Sequence, residues 1–145
     1  MSNITLRKVV RTASILLLAG AIMIGASAFA DRASAADLSG CWSGSWESCK
    51  SGHHGPLRAS FSRCNDSQYL VTFSGRFFKL FPFRYTVTLD VIEESGDNVK
   101  LSGSSYLGRM FGTFTYSAEV NGDEFNSSYN SCKDNGWFRL SKCCD

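Results

Sequence analysis

The sequence predicts an all-β protein: an eight-stranded antiparallel up-and-down barrel, stapled by disulfides, with a β-sandwich as the alternative. Three observations carry this. From Gly40 onward apolar and polar residues alternate with a period of two. Turn-forming clusters separate these stretches, and no stretch has convincing helical periodicity. All six cysteines fall in this same region, an even number that reads as a disulfide framework.

The first strand is the stretch Gly40-Cys41-Trp42-Ser43-Gly44-Ser45-Trp46. Trp42, Gly44 and Trp46 share one face, and two tryptophans on one face need a core. The second strand is expected over 57–64, with Leu57, Ala59 and Phe61 inward, before an Asn65-Asp66-Ser67 turn. The third spans about 69–77, broken by Phe81-Pro82. The fourth, 83–92, alternates most cleanly: Phe83, Tyr85, Val87, Leu89 and Val91 against Arg84, Thr86, Thr88 and Asp90. After Ser95-Gly96-Asp97-Asn98 comes the fifth, 99–106. The sixth is expected over 110–120, with Phe114, Tyr116, Ala118 and Val120 inward. Asn121-Gly122 is the strongest hairpin signal in the chain. The seventh spans 124–131 and the eighth 137–142, joined through Asp134-Asn135-Gly136.

Eight strands in simple succession close into a barrel and so remove exposed edges. The first and last strands then pair antiparallel. That places Cys41, Cys64, Cys143 and Cys144 at one rim and Cys49 with Cys132 at the other. The expected bridges are Cys49–Cys132, with Cys41 and Cys64 bonded to Cys143 and Cys144 in either order. A zinc site is disfavoured, because no Cys-x-x-Cys and no spaced Cys/His pair occurs.

Residues 1–30 read as a secretory signal peptide: Arg7, Lys8 and Arg11, then an apolar run, then Ala28-Phe29-Ala30. Ala33-Ser34-Ala35 offers a second cleavage site. Residues 31–38 read as a disordered lead and 39–145 as one barrel domain. The apolar run is short for a membrane span, and no later stretch is apolar enough to make one. Cleavage after Ala30 turns 15 basic and 13 acidic residues into 12 and 13. The excess positive charge thus belongs to the signal, and no nucleic-acid surface is indicated. The expected location is secreted, periplasmic or cell envelope. Leu38-Ser39-Gly40-Cys41 also fits a lipobox, but charged residues separate it from the apolar run.

Gly-x-Trp in the first strand of an eight-strand meander resembles the calycin superfamily of lipocalins, fatty-acid-binding proteins and avidins; Gly40-Cys41-Trp42 and Gly44-Ser45-Trp46 both match. The resemblance implies a barrel in which Arg139, on the last strand, packs on Trp42. It implies no particular ligand. Gly52-His53-His54-Gly55-Pro56-Leu57 and Phe81-Pro82-Phe83-Arg84-Tyr85 resemble stretches of small exported bacterial proteins, a resemblance that implies no activity.

No catalytic constellation is legible. The histidines are the adjacent pair His53 and His54, which read as a polar turn or as a rim site. Most carboxylates sit at turns, where they serve the backbone. No Gly-x-Ser-x-Gly elbow occurs. The inward aromatics either fill the barrel or line a cavity, since eight strands enclose just enough room for side chains or one small ligand. A mostly filled interior is expected, with a ligand at one mouth near His53, His54, Trp46, Lys79 and Phe81. The stretch 76–83 is basic and aromatic and reads as a buried corner or as a lipid- or polymer-contacting edge. The expected protein is a monomeric, non-catalytic binding module for a small ligand or a partner protein, without metal or cofactor. The alternative is a structural or interaction protein of the cell envelope with a filled barrel.

Overall fold

The computed structural model describes residues 36–144; the expected signal segment and both candidate cleavage sites lie outside them. The strands are β1 (Gly40–Ser48), β2 (His54–Asn65), β3 (Gln68–Phe77), β4 (Phe81–Ser95), β5 (Asn98–Tyr106), β6 (Thr113–Asn121), β7 (Glu124–Asn130) and β8 (Asn135–Lys142). Each pairs antiparallel with the next, and β1 pairs with β8 to close the barrel. The sandwich alternative is therefore set aside.

Alternation places the core. Along β6, Phe114, Tyr116, Ala118 and Val120 are buried while their neighbours are exposed. Leu57, Ala59 and Phe61 do the same on β2. Several boundaries differ from expectation. β2 starts at His54, which pairs with Glu47 and so lies in the strand and not in the turn, and β8 starts at Asn135, inside the expected Asp134-Asn135-Gly136 turn. Phe81 and Pro82 already belong to β4, with Pro82 opposite Arg76 near the strand's start, where a missing N–H is tolerated. Met110 lies in the β5–β6 loop, because Gly108 and Gly112 close that loop: Gly112 N donates to Gly108 O at 2.8 Å and Leu107 N to Gly112 O at 2.9 Å.

The β1–β8 seam is tight. A Cβ at Gly44 would overlap the Arg139 carbonyl, and one at Gly136 the Glu47 carbonyl, so the two strands meet through glycine. Cys41 and Cys143 form a disulfide across this seam, beside a 2.9 Å bond from Cys143 N to Cys41 O. The other expected bridges are not formed: Cys49, Cys64, Cys132 and Cys144 are exposed free thiols. Cys49 and Cys132 do share a rim, since Cys49 N donates to Asn135 O at 2.8 Å. The Cys132 Sγ, however, faces Gly112 in the β5–β6 loop. Cys64 lies three residues beyond Phe61, the last β2 residue paired to β1, which is about 10 Å along the strand.

One end of the barrel, here the base, is filled. Trp42, Phe61 and Phe125 meet with ring centroids 5.4–6.3 Å apart. Residues 36–38, expected to be disordered, instead plug this end. Leu38 is 2% exposed. Its carbonyl accepts from Trp42 Nε1 at 2.9 Å, and Tyr69 Oη donates to the Ala36 carbonyl at 3.1 Å. The cation on Trp42 is Lys142, not Arg139: Lys142 Nζ lies 5.8 Å from the Trp42 ring and donates to the Asp37 carbonyl at 2.8 Å. Arg139 points outward onto Trp137. Strand parity explains the correction, because Phe138 and Leu140 face inward and Arg139 between them must face out.

Candidate ligand cavity

Antiparallel succession sends the loops β1–β2, β3–β4, β5–β6 and β7–β8 to the opposite rim, here the mouth. A cavity of ≈ 620 Å³ opens there, within the size range of small-molecule sites. Its wall is mostly aromatic. Trp46 on β1, Phe77 on β3 and Phe83 on β4 form one cluster: Trp46 meets Phe77 edge-to-face with centroids at 5.1 Å, and Phe77 and Phe83 lie tilted at 4.5 Å. Phe114, Tyr129 and Phe138 form the facing side, with Tyr129–Phe138 at 5.0 Å. Tyr106 at the end of β5 and Leu107, Met110 and Phe111 on the β5–β6 loop complete the mouth.

The Tyr85 phenol lines the cavity, and Tyr116 packs behind the wall. Tyr116 packs at 6.2–6.5 Å from Tyr85, Phe114 and Phe138, all of which line the cavity. Its buried hydroxyl has no hydrogen-bond partner among the described residues. Burial pushes its pKa up to about 12. Burial, then the neighbouring Tyr116 phenol, raises that of Tyr85 further. Both hydroxyls are therefore neutral groups able to donate or accept. The Trp46 Nε1–H is also buried without an acceptor, and the indole edge lies against Gly55, where a Cβ would stand 2.9 Å from it.

The polar rim is built from Asp134. Its Oδ1 accepts from Ser48 Oγ at 2.6 Å and from Asn135 N at 2.8 Å, and its Oδ2 from Tyr129 Oη at 3.1 Å. Burial and then the Asp134 charge raise the Tyr129 pKa. With its oxygens engaged, Asp134 holds the β7–β8 loop against β1. Arg84 and Lys133 add positive charge to the cavity wall.

Of the residues singled out from sequence, Trp46 lines the cavity. His53, His54, Lys79 and Phe81 sit on the same rim but outside its wall. His53 packs edge-on against Phe78 at 4.4 Å, and His54 Nδ1 lies 3.4 Å from Gly52 O. Among the described residues no group of three His, Cys, Asp or Glu is arranged to hold a metal ion. The β5–β6 loop was missed. Its signal is an apolar Met110-Phe111 pair bounded by two glycines with positive φ, where a loop would ordinarily be polar.

Fold and site together define a closed eight-stranded β-barrel, sealed at its base and open through an aromatic cavity at its mouth. No family model, curated protein or solved structure matches the chain.

Proposed function

We propose that this protein is an exported, non-catalytic, calycin-like carrier that binds one small, largely apolar ligand in the mouth cavity. The single observation supporting this is the aromatic cavity of ≈ 620 Å³ above a filled base. The ligand class follows from its wall. Facing ring clusters favour a flat or aliphatic body, and the Tyr85 hydroxyl in the wall favours one hydrogen-bonding group on the ligand. Arg84 and Lys133 favour an anionic group at the open end. The Cys41–Cys143 bridge is compatible with an oxidising compartment.

The test is native mass spectrometry of the mature protein, exported by a cell and purified without reductant. A bound small-molecule mass that disappears in Phe83→Ala or Phe114→Ala, both in the cavity wall, supports the carrier. An empty protein that also fails to bind a panel of fatty acids and aromatic acids by intrinsic tryptophan fluorescence overturns it. The filled-barrel envelope protein then becomes the better reading.

A further inference from the structure

The topology sorts charge as well as loops. The mouth carries Lys50, Arg76, Lys79, Arg84, Arg109 and Lys133. Its carboxylates are Glu47 and Asp134, and Asp134 is tied to Ser48 and Tyr129. The base carries Asp66, Asp97 and Asp123 at its turn tips, with Glu93, Glu94 and Glu124 beside them. The base cations are Arg63, Lys142 and Lys100, the last paired with Glu93 at 2.7 Å. The barrel is thus basic at its open end and acidic at its closed end.

Most of the large apolar side chains that are exposed also lie at the basic end, Leu70 and Ile92 being exceptions towards the base. Phe78 (61%) and Leu80 (76%) stand on the β3–β4 turn with Phe81 at the start of β4; Met110 (77%) and Phe111 stand on the β5–β6 loop with Tyr106 at the end of β5. Each apolar tip carries its own cation, Lys79 in one and Arg109 in the other. The β3–β4 turn holds Phe78 and Lys79 at φ of 51° and 63°, a left-handed conformation that glycine adopts without strain and phenylalanine rarely adopts. The strain goes with the display of a bulky apolar side chain at the tip.

We propose that this mouth docks on the surface of an anionic lipid bilayer. The two apolar tips enter the interfacial layer, and Lys79, Arg109 and the neighbouring cations meet the headgroup charge. The acidic base is repelled, so the barrel stands with its cavity opening onto the membrane. Charge complementarity singles out this occupant: two separate tips, each pairing apolar groups with a cation, around an opening, match an anionic fluid surface. The docking does not depend on what the cavity holds.

The experiment is co-sedimentation of the oxidised mature protein with vesicles of phosphatidylcholine, with and without phosphatidylglycerol. The expected result is binding to the anionic vesicles that weakens as salt rises. Lys79→Glu/Arg109→Glu is expected to bind about tenfold more weakly or worse, and Leu80→Ser/Met110→Ser to bind more weakly as well. Asp97→Asn at the base is expected to bind as the parent does. These side chains are on exposed loops, and matching near-ultraviolet circular dichroism establishes that each variant is folded. Equal binding to neutral and anionic vesicles, retention of binding in the charge-reversed variant, or no binding to either vesicle overturns the proposal. If the protein instead elutes as a dimer that Leu80→Ser/Met110→Ser dissociates, the rim belongs to a second copy of the chain.

Discussion

Replacing Cys41 and Cys143 together with serine tests how the barrel is closed. The bridge joins residues 102 apart, so it encloses nearly the whole domain. For a loop of that size the chain-entropy argument gives a ceiling of about 4.7 kcal/mol. The β1–β8 ladder remains, including the bond from Cys143 N to Cys41 O, so the native seam survives the change. The expected loss is about 2–4 kcal/mol. With a urea slope of about 2 kcal/mol/M, the unfolding midpoint falls by about 1–2 M, and the slope steepens because the unfolded chain without the bridge exposes more surface. The assay is equilibrium urea unfolding of both proteins, with and without dithiothreitol. Reduced parent and serine variant are expected to coincide. A variant as stable as the oxidised parent would refute the clamp. A variant that loses further stability on reduction would show that Cys49, Cys64, Cys132 or Cys144 form bridges in solution, contrary to their free state here.

Leu38→Ala should cost about 2–4 kcal/mol by urea unfolding, because it empties the plug beneath Trp42; no loss would mean that the lead is not packed. Lys142→Ala should cost about 0.5–1 kcal/mol and Arg139→Ala less, since Lys142 covers Trp42 and Arg139 an exposed Trp137; the reverse order would restore the role that the calycin resemblance gives to Arg139. Tyr85, Tyr116 and Tyr129 have raised pKa values when folded. Their contribution is complete below the ordinary tyrosine value of 10.0 and is lost as pH rises above it, where the unfolded chain ionises first. Thermal melts should therefore fall steeply from about pH 10, and less steeply in Tyr85→Phe/Tyr116→Phe; an identical slope in that variant would argue against burial as the cause.

Much of the fold was legible because a strand imposes a period of two. Once Trp42 and Trp46 face inward, Ser43 and Ser45 must face outward, and the same parity places Leu57, Phe61, Tyr116 and Phe125. Turn chemistry added the hairpins, as at Asn121-Gly122, where the glycine takes φ of 57°. Parity also held information that the calycin resemblance overrode: Phe138 inward forces Arg139 outward. The cavity was legible in part. Trp46 was identified from its face, but Met110 was placed in a strand because an apolar pair in a loop looks like a strand start.

What the sequence by itself determined is local: which residues alternate, where the chain turns, and that consecutive strands pair antiparallel. Succession alone even sends the basic loops at Lys50, Lys79, Arg109 and Lys133 to one rim and the acidic turns at Asp66, Asp97 and Asp123 to the other. Tertiary structure decided the rest. Alternation gives each side chain a face but says nothing about its distance from a side chain on a distant strand. Only closure of the β1–β8 seam sets Cys41 against Cys143 while turning Cys132 toward Gly112. Only closure sets Lys142 over Trp42, and leaves the aromatic rings short of filling the mouth.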